Sequence, residues 1–447
     1  MNFSVYWIAQ KLRFFAVFAI AFASVLTNAR ADVAAWLLMD ADNGHVLEQN
    51  GAFDRWYPAS LTKMMTAYIA FKSISQGEMA MSDMVMVSQN ALNQPPSKMG
   101  FKVGTTITLD NALKMILVKS ANDIAVAVAE RVGGTEESFI SQMNATARRL
   151  GMTHTNFVNP HGLPDNRQVS SARDMALLAS ALWSQFPQYR SYVSHPGIRF
   201  GRRTFRSGNR DFLLRTAGAN GLKTGYICNS GFNVATSATR NGKTVIAVVL
   251  GAASSLERSA FAKKLIDSGF KKTAGTKITA FRGSGNINPP KDHYCKRNAK
   301  PTAQQLVDRF GTKRGSASMM AYADAGSPSP RGKSIRLSKK KVNWGLVYEE
   351  ILGPQLKSYA PVTVRIGNEH PVVALKKLGN AVPLPMPKPG SQKGLEPAPI
   401  GGIQQLNVPV GKGTSLRPLK STSKRDLFGS PGGLYANTSA FGKTQSP

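Results

Sequence analysis

Two Asn-Gly pairs, Asn43-Gly44 and Asn241-Gly242, constrain the fold most, because each sits between runs that read as strands. Ala35 to Asp40 and His45 to Glu48 flank the first; Gly231 to Thr239 and Thr244 to Leu250 flank the second. Asn-Gly supplies the positive-φ residues of a tight hairpin turn. Between the hairpins lie stretches of helix formers with apolar spacing: Leu61 to Ile74 behind Pro58-Ala59, Leu109 to Val118, Asp123 to Val132 closed by Gly133-Gly134, and Asp174 to Trp183. Ser255 to Ser268 follows the second hairpin. Hairpins at both ends with helices between predict an α/β chain of the α+β kind, an antiparallel sheet covered by helices.

Before and after this patterned region the texture changes. Lys11 and Arg13, an apolar run from Phe14 to Leu26, and Ala29-Arg30-Ala31 read as an export leader cleaved after Ala31. The alternative, an uncleaved anchor, is disfavoured by an apolar run short of the roughly 20 residues a span needs. The expected organisation is a leader over 1–31, a catalytic domain over 32–275, a basic Gly/Ser/Pro-rich linker over 276–341, a short ordered element over 342–380 and a disordered tail over 381–447. With 57 Lys and Arg against 25 Asp and Glu the formal net charge is +32, which favours anionic partners. An exported chain meets these as envelope polymer or lipid in the periplasm or cell envelope, so no nucleic acid is expected. Cys228 and Cys295 can pair in an oxidising compartment, but spacing alone leaves the pairing open. The histidines show no metal-ligand spacing, so no metal is expected.

Three short motifs carry chemistry. In Ser60-Leu61-Thr62-Lys63, a hydroxyl and an amine three residues apart share one face of a helix start, within reach for proton transfer. Ser120-Ala121-Asn122 falls in a break between two helices, where it can aim a hydroxyl and an amide into a cleft. Its plain alternative is a helix N-cap, a position that favours Ser and Asn. Lys223-Thr224-Gly225-Tyr226 enters a strand, with a cation for a carboxylate and a glycine for close backbone approach. Lys223 beside Lys63 would lower the Lys63 pKa by like-charge repulsion. Each motif alone is weak; in this order and context they are strong together.

The chain resembles the low-molecular-mass D-alanyl-D-alanine carboxypeptidases, a penicillin-binding family. The resemblance rests on Trp56-Tyr57-Pro58-Ala59-Ser60-Leu61-Thr62-Lys63-Met64-Met65-Thr66-Ala67-Tyr68, Asn159-Pro160-His161-Gly162-Leu163-Pro164 and Gly221 to Tyr226, and covers about residues 33 to 272. It implies the penicillin-binding/β-lactamase-like fold and removal of the terminal D-alanine from peptidoglycan stem peptides ending in D-Ala-D-Ala, with β-lactam antibiotics as acylating inhibitors. Ser60 would be the nucleophile, Lys63 the base and Ser120 the proton shuttle. Asn122 would bind the peptide, and Lys223, Thr224 and Gly225 would serve the terminal D-alanine. Backbone N–H groups of Ser60 and Tyr226 would form the oxyanion hole. The resemblance implies no cofactor. His161 is expected to be a structural anchor and Cys228 a small strand residue. A β-rich second domain and a terminal amphipathic helix, common in relatives, are not evident in this sequence.

The three motifs also occur in serine β-lactamases, but no glutamate lies between Ser138 and Lys223, the stretch in which class A enzymes carry one. D,D-endopeptidase action on crosslinks stays open, as does a non-catalytic wall-binding role for the basic tail.

Overall fold

Ala35–Asp40 has no wet face along its middle: Leu37, Leu38 and Met39 are all fully buried. A strand apolar on both sides belongs inside a sheet covered on both faces. The computed structural model, which describes residues 33–283, 285, 288–290, 294–297, 300–311 and 342–367, builds such a sheet. Its strands are β1 (Ala35–Asp40), β2 (His45–Asn50), β3 (Ala219–Ile227), β4 (Gly231–Arg240), β5 (Lys243–Ala252) and β6 (Thr276–Lys277), in the spatial order β6-β2-β1-β5-β4-β3. All neighbours are antiparallel. Both expected hairpins form. Asn241 takes φ 50° in the β4–β5 turn, and Arg240 pairs with Lys243 across it.

The two-residue period of the strands divides the core. Leu37, Met39, Ile246 and Val248 join one cluster with Met64 and Ile69 of the helix Lys63–Ser75. Leu38, Val245, Ala247 and Val249 join another with Leu265 and Ile266 of the helix Ser255–Gly269. Each fully buried Leu or Val is worth about 1.5–3 kcal/mol of transfer free energy. The layering therefore fixes Lys63–Ser75 against the sheet, with Ser60 at its leading end. Helices Asn122–Gly133, Glu136–Arg149 and Ala172–Gln185 complete that face.

The expected helix Leu109 to Val118 is α-helical only over Leu109–Lys114; Met115–Lys119 widens into a π turn. Ser120 then takes a left-handed φ of 67°. Such wide turns re-aim the residue that follows them.

The expected linker needs correction. Within it, Ala303–Phe310 is a helix begun by a capping box of Thr302 and Gln305. Its Leu306 and Val307 pack with Val347, Ile351 and Leu352 of a second helix, Trp344–Leu352, onto Leu256 and Ala260. Composition averaged over the whole segment hides this amphipathic turn. Beyond the second helix, Leu356 N–H donates to Leu214 O at 2.8 Å, and Val362–Thr363 pairs in parallel with Ile198 and Arg199. The ordered element expected over 342–380 is thus described to residue 367. The leader 1–31, the rest of that element and the tail 381–447 lie outside the described residues.

Cys228 is not a strand residue. It follows β3 in the turn to β4 and is disulfide-bonded to Cys295, 67 residues on. Next to it Tyr294 packs edge-on against Trp56 and donates to Gly251 O at 2.9 Å. Closing a loop of this length restricts the unfolded chain, a contribution of about 2–4 kcal/mol. We expect a Cys228-to-Cys295 cross-link in a non-reducing peptide map, and Cys228→Ser to lower the unfolding free energy by about that amount. Two free thiols in the folded protein under oxidising conditions would contradict the pairing.

Candidate active site

Ser60 stands in the short 3-10 turn Ala59–Thr62 that opens the helix Lys63–Ser75. Ala59 holds φ 48°, a sharp bend that presents the serine at the floor of a cleft of about 470 Å³. One helical turn on, Lys63 is completely buried. Its amine donates to Ser60 Oγ at 3.1 Å, Asn122 Oδ1 at 2.7 Å and the His161 carbonyl at 2.7 Å. Burial pushes the Lys63 pKa well down and the Lys223 cation pushes it further, while Asp123 opposes both. Repulsion from Lys223 was the expected cause; it is real but second to desolvation.

The Ser120-Ala121-Asn122 segment does not cap its helix: the N-cap is Ala121, with no side-chain cap bond. The left-handed turn points the Ser120 hydroxyl at Lys223 Nζ instead, which donates to it at 3.0 Å. Asn122 is fixed from both ends of its amide, accepting from Lys63 and donating from Nδ2 to Pro95 O at 2.8 Å. Its amide is thus engaged in holding the Lys63 amine as well as lining the cleft.

The third motif arrives on β3. A Cβ on Gly225 would lie 3.0 Å from Ser60 N and 2.9 Å from Pro58 O, so only glycine lets the strand pass this close to the serine turn. That passage brings the backbone around Tyr226 alongside Ser60, with Thr224, Gly225 and Tyr226 all lining the cleft. Asn233 on β4 braces the turn, its Nδ2 donating to Tyr57 O at 2.9 Å. Lys223, also buried, donates to Thr224 O at 2.8 Å, and desolvation followed by the Arg258 charge lowers its pKa to about 7.

All of Ser60, Lys63, Ser120, Asn122, Lys223, Thr224, Gly225 and Tyr226 therefore meet in one place. Sequence reasoning missed two further contributors. The His161 backbone carbonyl, brought in by a loop whose Gly162 abuts Ala59 O, is a direct partner of the Lys63 amine. Arg258, buried on the helix Ser255–Gly269, lines the cleft near Lys223 and donates to Gly208 O at 2.7 Å. Its Nε is buried with no hydrogen-bond partner among the described residues. His161 stands in the Asn159 to Pro164 stretch and was expected to be an anchor, but not through its backbone carbonyl; Arg258 belongs to no local motif that would have revealed it.

Chemically, the arrangement offers a hydroxyl beside an amine with a depressed pKa, a second hydroxyl beside a second amine, and a pair of buried cations at one end. The family model described as D-alanyl-D-alanine carboxypeptidase matches residues 23–254. The D-alanyl-D-alanine carboxypeptidase DacC of Escherichia coli is 37% identical over 361 residues, 78% of this chain and 84% of the relative. The carboxypeptidase DacA of Haemophilus influenzae is 34% identical over 283 residues, 62% of this chain and 71% of the relative. Among solved structures, penicillin binding protein 5 from Haemophilus influenzae superposes with a TM-score of 0.52 at 33% identity, covering 55% of this chain and 73% of that one.

His161 has no free electron pair at Nδ1 to spare, because that atom accepts from Leu163 N–H at 3.1 Å. Burial, and then the Lys63 charge, lower its pKa to about 3. The ring therefore stays neutral throughout the range from about pH 5 to 8 in which an ordinary histidine titrates. Imidazole resonances of His161 followed by NMR are expected to stay put across that range; a midpoint inside it would show the ring to be exposed or paired with an acid.

Proposed function

The chain belongs to the D-alanyl-D-alanine carboxypeptidase family, and on that premise we propose that Ser60 is the nucleophile of a serine-type D-Ala-D-Ala carboxypeptidase acting on peptidoglycan stem peptides. The observation that carries the assignment is the 3.1 Å bond between Ser60 Oγ and a fully buried Lys63 amine. Neutral Lys63 takes the Ser60 proton as Oγ attacks the carbonyl carbon of the penultimate D-alanine. The oxyanion would accept from the N–H groups of Ser60 and Tyr226, a reading supported by the close approach of the neighbouring Gly225 to Ser60 N. As the tetrahedral intermediate collapses, the C–N bond breaks and the proton taken by Lys63 passes through the Ser120 hydroxyl, itself held by Lys223, to the departing amine, which leaves Lys63 neutral for the second step. Water then attacks the ester, Lys63 accepting its proton, and Ser60 is regenerated as the shortened peptide leaves.

Orientation follows from charge. Lys223, Thr224 and Arg258 line one end of the cleft or stand behind it, and the Arg258 guanidinium, whose Nε has no partner among the described residues, suits the terminal carboxylate of the leaving D-alanine. Asn122 contributes by fixing Lys63 and by facing the peptide. A β-lactam presents a carbonyl and a carboxylate at similar separation, so it would acylate Ser60 as the substrate does.

No helix among the described residues is long and apolar enough to cross a membrane. We place the enzyme outside the cytoplasmic membrane, where its substrate is, on the leader read at residues 1–31. The chain's excess of basic residues would add attraction to an anionic envelope polymer or lipid.

Incubation with a fluorescent penicillin, followed by peptide mapping, is expected to label Ser60, and a D-Ala-D-Ala peptide is expected to release D-alanine. Ser60→Ala loses both, and Lys63→Ala slows acylation by about 10²–10⁴-fold. Folded protein that leaves Ser60 unlabelled would overturn the catalytic reading. The pH dependence carries a sign. The kcat/KM should rise as Lys63, well below its ordinary range, gives up its proton, and fall as Lys223 gives up its own near pH 7. A bound carboxylate raises the Lys223 pKa, so the alkaline limb of kcat should lie above that of kcat/KM. Lys223→Arg should push that limb upward; an unmoved limb would free Lys223 of the role.

A further inference from the structure

The helix Trp344–Leu352 reaches the catalytic cleft. Tyr348, half-buried, lines it together with Arg258, Gly208 and Asp211. These four residues mark the end where Lys223 and Thr224 stand. Arg258 bonds to the Gly208 carbonyl, a Cβ on Gly208 would meet Thr224 Oγ1 at 2.5 Å, and the Arg258 charge bears on Lys223. Burial lowers the Arg258 pKa to about 10, and the nearby Tyr348 and Asp211 oppose that shift. If the leaving D-alanine puts its carboxylate on Lys223, Thr224 and Arg258, Tyr348 stands where the next residue of a longer peptide would have to go.

We propose that Tyr348 is the wall of the leaving-group end, a specificity-determining residue that admits a peptide ending one residue past the scissile bond and turns away one that continues. This rests on the catalytic reading and deepens it, because the same acyl chemistry would otherwise serve carboxypeptidase and endopeptidase substrates alike. The wall is held firmly. Val347, Ile351 and Leu352 seat its helix on Leu256 and Ala260, which belong to the helix that carries Arg258. Past the helix, Arg215 Nη1 donates to Gly353 O at 2.6 Å and Leu356 N–H to Leu214 O at 2.8 Å. Moving Tyr348 out of the way would break this seat, whereas removing its ring takes away a half-buried edge of the cluster and leaves Val347, Ile351 and Leu352 to hold the helix. A pocket built to end at a carboxylate also rejects a continued chain by chemistry, since an internal amide cannot repay two desolvated cations.

The test compares two synthetic peptides. One is a diacetylated L-Lys-D-Ala-D-Ala with a free terminal carboxylate; the other is the same peptide extended by one glycine. Cleavage between the two D-alanines gives D-alanine from the first and D-alanylglycine from the second. The unmodified full chain is expected to favour the first by at least about tenfold in kcat/KM. Tyr348→Ala is expected to shift that ratio toward the extended peptide by about tenfold or more, and Tyr348→Phe to keep it near the unmodified value. An unmodified enzyme that cleaves both equally would overturn the wall whatever the variants do. So would a Tyr348→Ala ratio that stays in place while fluorescent penicillin still labels Ser60. If the unmodified protein fails to acylate at Ser60 at all, the catalytic reading itself falls, an outcome distinct from an acylating enzyme with the wrong selectivity.

Discussion

A lysine amine buried completely and held by two carbonyl oxygens beside the Ser60 hydroxyl is the constraint on which the rest of this structure turns. Taking an ammonium out of water costs several kcal/mol, so the fold lowers the Lys63 pKa rather than bear the charge. It does so at a position that depends on nearly every layer. The sheet and the helix Lys63–Ser75 bury the stem, the helix Asn122–Gly133 supplies the amide oxygen, and the His161 loop supplies a carbonyl. Loosening any of them readmits water, and an amine in water is protonated at neutral pH. The core packing is in this sense part of the chemistry. A stable neutral base needs a dry, close-packed wall, and the antiparallel sheet with helices on both faces provides one.

Much of this was legible in the sequence because the decisive relations are local. Ser60 and Lys63 share a helix face by spacing alone, and the Asn-Gly hairpins set the strands that bring Lys223 and Gly225 in. What escaped is long-range. The His161 carbonyl lies 98 residues from Lys63, and its Asn159 to Pro164 stretch marks a loop without showing which backbone group meets the amine. Arg258 reads as an ordinary helix residue until the packing of its helix buries it. The π turn at Met115–Lys119 is likewise invisible, since its apolar residues continue the helical spacing and no Gly or Pro marks the widening. One omission was avoidable. The helix Glu136–Arg149 has a Thr135 cap, two acids in its first turn and two arginines in its last, the signals of a start and a stop. The short strands at Met84–Met86 and Thr106–Thr108 had no such signal, being too brief to show a period without their partners.

The choice between a helix cap and a functional loop at Ser120 turns on the same distinction between local preference and tertiary demand. Serine and asparagine favour N-caps because a side-chain oxygen satisfies a free N–H of the first turn. Here that local reward is forgone. Ser120 takes a left-handed conformation that costs a non-glycine residue about 1–2 kcal/mol, and its hydroxyl is spent on Lys223. A residue that forgoes its cheapest hydrogen bond for a strained backbone and a buried cation is held there by its surroundings, and strain of this kind gathers where a fold has been shaped for a ligand.

The division of labour along the chain then follows. The family match ends at residue 254, and it contains the serine, both lysines, the Ser120 loop and the Gly225 passage. Arg258 and Tyr348, which we propose shape the leaving-group end, come after the residues that model matches. Acyl transfer needs atoms held to within a few tenths of an ångström, so its parts sit on strands and helices locked into the core. Choosing between a chain end and a chain middle needs only bulk and charge in the right place. A helix docked through Val347, Ile351 and Leu352 supplies that without disturbing the base, because its seat lies on the far side of the Arg258 helix from the sheet core. Selectivity can therefore be altered at the tyrosine while Lys63 stays dry.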